Sequence, residues 1–200
     1  YDFTVRLKRN APSLVNTVFH QRFGHDNYHH SIGEQIMSVV EHPQEFRSNM
    51  DSIVERLSTS KEYEQLFGRA FPENSRIDSA NVVEALALYT ASIISFDAEF
   101  DQYMRGEIQD IDTAIIEGFN LFMGKAQCGS CHFAPLFSGL KPPTFRDQEY
   151  HSHGVTTGVL WDKPIDLDWG IADFKGKEYK FFFRTICKFT KFTNNTIFQR

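Results

Sequence analysis

A mainly α-helical fold is expected for this chain on three observations. Between Ser31 and Met123 apolar residues recur at helical spacing, punctuated by capping residues and prolines. After His132 that period gives way to glycine, proline and aromatic residues, as in Ala134 to Pro143 (APLFSGLKPP). The two regimes meet at Cys128-Gly129-Ser130-Cys131-His132, directly beyond the last expected helix.

Taken in order, residues 1–30 read as irregular. Pro12 biases Ala11 away from helix, and His20, His25, His29 and His30 crowd into eleven residues, a pattern whose plain reading is a solvated loop. Ser31 and Glu34 form a capping box for a helix that carries Ile32, Ile36, Val39 and Val40 on one face and stops near His42, before Pro43. A second helix is expected from about Asn49 to Leu57, with Met50, Ile53, Val54 and Leu57 inward. A third, capped by Ser60, carries Tyr63, Leu66, Phe67 and Ala70 and ends before Pro72. The best-specified helix runs from Ser79 to Ser95: Asp78 is its N-cap, Ile77 is placed to staple onto Val82, and Val82, Leu86, Tyr89 and Ile93 form a buried stripe. Phe96 to Gly106 reads as a polar and aromatic connection. Asp112 then caps the helix that ends at Gly124.

The five residues from Cys128 to His132 are the attachment signature of a c-type haem: two thiols three positions apart bind the macrocycle and the next imidazole, His132, reaches the iron as proximal ligand. Two other chemistries use the same residues. A thioredoxin-like site has a strand before the cysteines and a helix after them, the reverse of the order here. Zinc needs two further ligands, and the nearby His151 and His153 are spaced H-x-H instead of H-x(3 to 5)-H. The fold class expected is therefore mainly α, with c-type cytochrome-like helical domains and long irregular loops around haem.

Composition bounds the rest. With 41% hydrophobic and 24% charged residues among 200, the chain can form one substantial domain or two small ones, and disorder is not indicated. Twenty phenylalanines suit a domain that wraps a flat apolar cofactor, although a plain core also uses them. The net charge of -5 without a Lys/Arg block gives no footprint for nucleic acid. No stretch approaches the roughly 18 consecutive apolar residues of a transmembrane segment. The third cysteine, Cys187, is most simply a lone thiol. Covalent haem attachment implies a periplasmic location. The chain begins at Tyr1 without a signal sequence, so its start is expected to be processed or to lie further upstream.

The order of motifs resembles the bacterial di-haem cytochrome c peroxidase family, which includes the di-haem enzyme of methylamine utilisation. The resemblance runs from Lys8-Arg9-Asn10-Ala11-Pro12, through Gly33-Glu34-Gln35 and Gln44-Glu45-Phe46, Tyr63 to Phe67 and Phe100 to Gly106, to Gly118 to Gly124 and Cys128 to Gly139. It implies reduction of hydrogen peroxide to water, with electrons from a small cytochrome or copper protein. One haem, in an N-terminal domain, does the peroxide chemistry, and a second takes up the electrons. Cys128, Cys131 and His132 match the second, electron-transfer haem. The attachment motif of the first normally precedes the Arg-Asn-x-Pro segment, upstream of where this chain starts. The division implied is 1–106 as the remainder of the peroxidatic half with a helical connection, and 107–200 as a c-type cytochrome domain incomplete at its end. A mono-haem electron carrier without peroxidase activity is the alternative.

The same resemblance assigns Gln35 and Glu45 to the peroxide pocket, where a carboxylate can carry a proton between the two oxygens. It matches Asn10 to a calcium ligand, so calcium is a further cofactor it allows, as is a homodimer. The family's aromatic Phe-Trp-Asp-Gly-Arg segment is replaced by Phe23 to Tyr28, so that His25 stands where a bridging ring is usual. Near the end, Phe183-Arg184-Thr185 departs from the family into Ile186-Cys187-Lys188. Met104 and Met123 are iron-ligand candidates by type, with core packing as the plainer expectation. His151 and His153 are candidates for a propionate contact or a distal ligand.

Overall fold

Local capping chemistry places most of the helices. The structure, a computed structural model, describes residues 7–145; His151, His153, Cys187 and the 178–200 tail lie outside the described residues. Helix α1 spans Ile32–Glu41, and Ser31 Oγ accepts the Glu34 N–H at 3.0 Å. The return bond of the expected capping box goes one residue further back, since Glu34 Oε2 accepts from the His30 N–H at 2.7 Å. Helix α2 spans Met50–Ser58 with Asn49 as its cap, and α4 spans Ser79–Ser92 with Asp78 accepting from the Asn81 N–H. That bond and a second one from the Asn74 side chain hold the Asp78 carboxyl below its usual range. At α3, Lys61–Ala70, Ser60 occupies the N-cap position but its side chain makes no capping bond.

The four helices meet in one core to which each contributes a single buried residue: Val40 from α1, Met50 from α2, Phe67 from α3 and Val82 from α4. Ile36, Ile53, Val54, Leu57 and Ile77 pack around them, so the expected inward face of α2 and the packing of Ile77 are present, whereas the α1 face is shared, with Ile36 and Val40 in the core and Ile32 and Val39 lining the cavity described below. Gly33 lets α1 lie close on α4, since a Cβ there would stand 3.1 Å from Val83 Cγ1. Asn81 is buried. Its amide donates to the carbonyls of Asn74 and Arg76 at 2.9 and 3.0 Å, fixing the entry into α4.

Two expectations about the middle of the chain are corrected. The α4 stripe is buried only at its first turn: Leu86 and Tyr89 are 41% and 67% exposed, because the later turns of α4 face the cavity described below instead of the helical core. The connection from Phe96 to Gly106 contains a short helix, α5 (Glu99–Met104), whose start is held by Asp101 accepting the Ala98 N–H. Its end is tied by Arg105, which binds Glu107 Oε1 at 2.6 Å and donates to the Phe96 carbonyl. Helix α6, Thr113–Met123, begins at Asp112, as expected, with the Ala114 N–H donated to its carboxylate at 2.9 Å.

The segment before α1 is irregular but anchored. Asn16, at φ 60°, clamps the end of α4: its amide N–H donates to the Ile93 carbonyl, while its side chain exchanges two hydrogen bonds with the Ser95 backbone at 2.9 and 3.0 Å. Phe19 packs on Phe96 and Phe145 with ring centroids 5.5 and 5.6 Å apart. Among the described residues no β-strand forms and no helix is long and apolar enough to cross a membrane.

Candidate haem-attachment site and the apolar cavity

Helix α6 delivers the cysteine motif. It ends at Gly124, Gln127 turns the chain at φ 56°, and Cys128–Ser130 form a single 3-10 turn. The Cys128 carbonyl accepts N–H bonds from both Cys131 and His132, at 3.2 and 3.0 Å. This one turn and the two residues after it carry both cysteines and His132. Cys128 and Cys131 are free, half-buried thiols. Gly129 is buried under Met123: a Cβ there would lie 2.4 Å from the Met123 sulfur.

The His132 ring is oriented by two contacts. Nδ1 lies 3.0 Å from the Phe137 carbonyl oxygen. A carbonyl only accepts, so Nδ1 carries the proton and Nε2 keeps its lone pair, the tautomer a metal-bound imidazole needs. The edge-on ring of Phe122 stands 6.2 Å from the imidazole. Phe122 in turn belongs to a cluster of half-buried rings in which Phe100 of α5, Phe119 and Phe137 lie 4.9 to 6.4 Å from one another and Phe122 of α6 joins through Phe137 at 5.6 Å. The following loop closes on itself, with the Phe133 N–H on the Ser138 carbonyl at 2.8 Å, and seats Leu140 with no exposed surface. Two thiols, a lone pair on Nε2 and a wall of aromatic rings fit a covalently held haem. Met104 and Met123 are exposed, at 59% and 44%, contrary to the expectation of core packing; Met123 covers Gly129 of the motif.

A second feature lies between the irregular N-terminal segment, α1 and α4. It is a cavity of about 610 Å³, largely apolar, walled by side chains such as Leu14, Phe23, Ile36, Val39, Leu86 and Tyr89. Its polar lining includes His20, Arg22, His25 and Gln35. Gln35 Oε1 accepts the Gly24 N–H at 3.2 Å, which leaves the side-chain NH2 as the donor. Burial lowers the His20 pKa and keeps the ring neutral. The turn that presents His25 is pinned by the paired Phe23 and His29 backbones and by the Arg9–Asp26 ion pair, at 2.8 to 2.9 Å. The solvated-loop expectation holds for His25 and His30, which are exposed, whereas His20 and His29 are half-buried because Phe23 is buried and draws the turn onto the cavity.

Of the residues assigned by resemblance, Gln35 lines the cavity and Glu45 does not. Glu45 sits on the turn after α1, 3.9 Å from His42 Nδ1, while its neighbour Phe46 forms part of the wall. Asn10 is exposed, and among the described residues no group of three His, Cys, Asp or Glu side chains gathers into a metal site. Sequence reasoning missed His20 as a cavity residue and Phe137 as the partner of His132. The first was hidden in a polar cluster, and the second depends on a loop that carries no periodic signal.

Comparison with known proteins supplies the context. Residues 4–109 match the family described as "Di-haem cytochrome c peroxidase". The chain belongs to that family. It is 31% identical to the methylamine utilization protein MauG of Methylorubrum extorquens over 154 residues, covering 77% of this chain and 41% of MauG. It is 28% identical to the cytochrome c551 peroxidase of Pseudomonas aeruginosa over 125 residues, covering 62% of this chain and 36% of the peroxidase. Among solved structures, a MauG-like protein associated with microbial copper homeostasis aligns at a TM-score of 0.63 and 25% identity, over 76% of this chain and 46% of that one. The match thus spans less than half the length of these relatives. Membership makes this a chain of a haem-dependent oxidoreductase family with a mainly α, cytochrome-like fold.

Proposed function

We propose that the chain supplies the electron-transfer haem site and one wall of the peroxide-reducing cavity of a periplasmic di-haem cytochrome c peroxidase. The observation that carries the reading is the set at Cys128, Cys131 and His132, where one 3-10 turn begins at Cys128 and is capped by Cys131, and the Phe137 carbonyl fixes the tautomer of the imidazole. In this reading 107–200 is the c-type cytochrome domain and 1–106 belongs to the peroxidatic half. Haem c bound at the motif would supply a one-electron couple.

The protein's own groups do the rest. Cys128 and Cys131 would hold the macrocycle and His132 Nε2 would be the iron ligand. The Phe cluster packs against one edge of the imidazole, through Phe122, while the ring itself stays exposed. Reduction of hydrogen peroxide to two waters consumes two electrons and two protons. In the cavity the Gln35 NH2 orients an oxygen atom, and the proton-carrying role that the resemblance assigns to Glu45 would require its carboxylate to swing from His42 past Phe46 into the cavity. A small cytochrome or copper protein is the donor, and it meets the protein where the haem edge nears Phe133 to Phe137.

Expression with a cytochrome c maturation system tests the reading through a pyridine haemochrome spectrum. The expected result is covalent haem in the chain and none in the Cys128→Ala/Cys131→Ala variant. Retention of covalent haem by that variant would sink the assignment. Peroxide-dependent oxidation of a reduced small cytochrome separates peroxidase from simple electron carrier: this chain alone should show little turnover, and in a protein extended upstream to include the first haem motif Gln35→Ala should lower the rate while haem content stays the same.

A further inference from the structure

The contact that orients His132 comes from an unusual place. Phe137 has φ 50°, in the left-handed region that side-chain-bearing residues seldom adopt and that glycine adopts freely. In that conformation its carbonyl meets His132 Nδ1 at 3.0 Å, while its ring packs among Phe100, Phe119 and Phe122 at 6.2, 6.4 and 5.6 Å. Backbone convenience alone would put glycine or asparagine here. A phenylalanine is instead held in a costly conformation by rings from two helices, and an outlier maintained by its surroundings at a functional group is a sign of use.

We infer that Phe137 is a positioning residue: its side chain, anchored in the four-ring cluster of α5 and α6, holds its carbonyl on His132 Nδ1 and so sets the orientation and donor strength of the iron ligand. This rests on the reading of His132 as that ligand. The hydrogen bond makes the imidazole more electron-rich, which favours the ferric over the ferrous state and keeps the potential low. Phe122 closes the arrangement, because it touches both the imidazole and the Phe137 ring. The cluster includes Phe100, so the packing of α5 bears on the haem ligand although α5 is about thirty residues upstream of His132 in the sequence.

The test uses the full chain carrying its covalent haem, in four forms: wild type, Phe137→Gly, Phe137→Tyr and Phe119→Leu. Phe137→Gly keeps the favoured backbone and loses the ring. Two readouts are independent of turnover: the rate at which the His132 Nδ1 proton exchanges with D2O, followed by NMR, and the midpoint potential of the haem. The expected result for Phe137→Gly is exchange faster by about tenfold or more and a raised potential. Phe137→Tyr, which keeps the ring, should behave as wild type. Phe119 touches the Phe100 and Phe137 rings and has no recorded ring contact with His132, so Phe119→Leu should shift both readouts in the same direction by less.

If Phe137→Gly does not fold, Phe119→Leu decides, and wild-type values there overturn the inference. Covalent haem with unchanged exchange and potential in Phe137→Gly overturns the inference and leaves the proposed function standing. A wild-type chain without covalent haem overturns both.

Discussion

The four-helix region around Val40, Met50, Phe67 and Val82 and the region from α6 to Phe145 are built by different means. In the first, three of the four helices start at a side-chain cap and each places one apolar residue in the shared core, so local sequence and tertiary packing largely agree. Ser31, Asn49 and Asp78 each accept a backbone N–H three residues on. In the second, only α6 follows a local rule. The remainder depends on left-handed residues at Gln127, Phe137 and Phe145 and on ring contacts between segments far apart in sequence. The difference shows what each region has to do: the first supplies rigidity, whereas the second must hold two thiols and an imidazole at fixed positions on irregular backbone.

The largest expected effect tests the first region. Phe67→Ala removes a buried ring from the four-helix core and should cost about 3–5 kcal/mol in denaturant unfolding. A loss below about 1 kcal/mol would mean that the four helices do not share a core.

Asn81→Ala comes next, at about 1–3 kcal/mol, because it strips the donor from the carbonyls of Asn74 and Arg76 at a buried position. Asn81→Asp should not restore the loss, since a carboxylate cannot donate to those carbonyls.

A pair of cap variants sharpens the rule of local control. Asn49→Ala should cost about 1 kcal/mol, because its side chain accepts the Ser52 N–H at 2.8 Å. Ser60→Ala should stay within about 0.5 kcal/mol, as Ser60 makes no cap bond. Equal losses at the two positions would show that residue type at the cap matters more than the bond it makes.

The smallest effect is a pH dependence. Burial lowers the folded-state pKa of His20 from its ordinary 6.5, so below that value the unfolded chain takes up a proton more readily than the folded one. Stability should be fully present above about pH 6.5 and decline as the pH falls through the lowered value. His20→Gln should flatten this part of the unfolding profile. A decline unchanged in that variant would move the cause to another group.

The sequence alone determined the helices from α1 to α4 and α6 to within a few residues, because caps, prolines and apolar period are local properties of the chain. It also made the haem motif legible, since Cys128, Cys131 and His132 stand within five consecutive residues. It misjudged α4 beyond Val82 and passed over α5: the apolar face of the former turns to a cavity, and the latter is too short for period to register. Only the tertiary structure decided that Gln35 lies in the cavity wall while Glu45 lies beside it, and that His20 is half-buried there. Only it decided that the carbonyl at Phe137 holds His132, because a side-chain-to-backbone bond between residues five apart depends on where rings from α5 and α6 place that loop, and no spacing in the sequence encodes it.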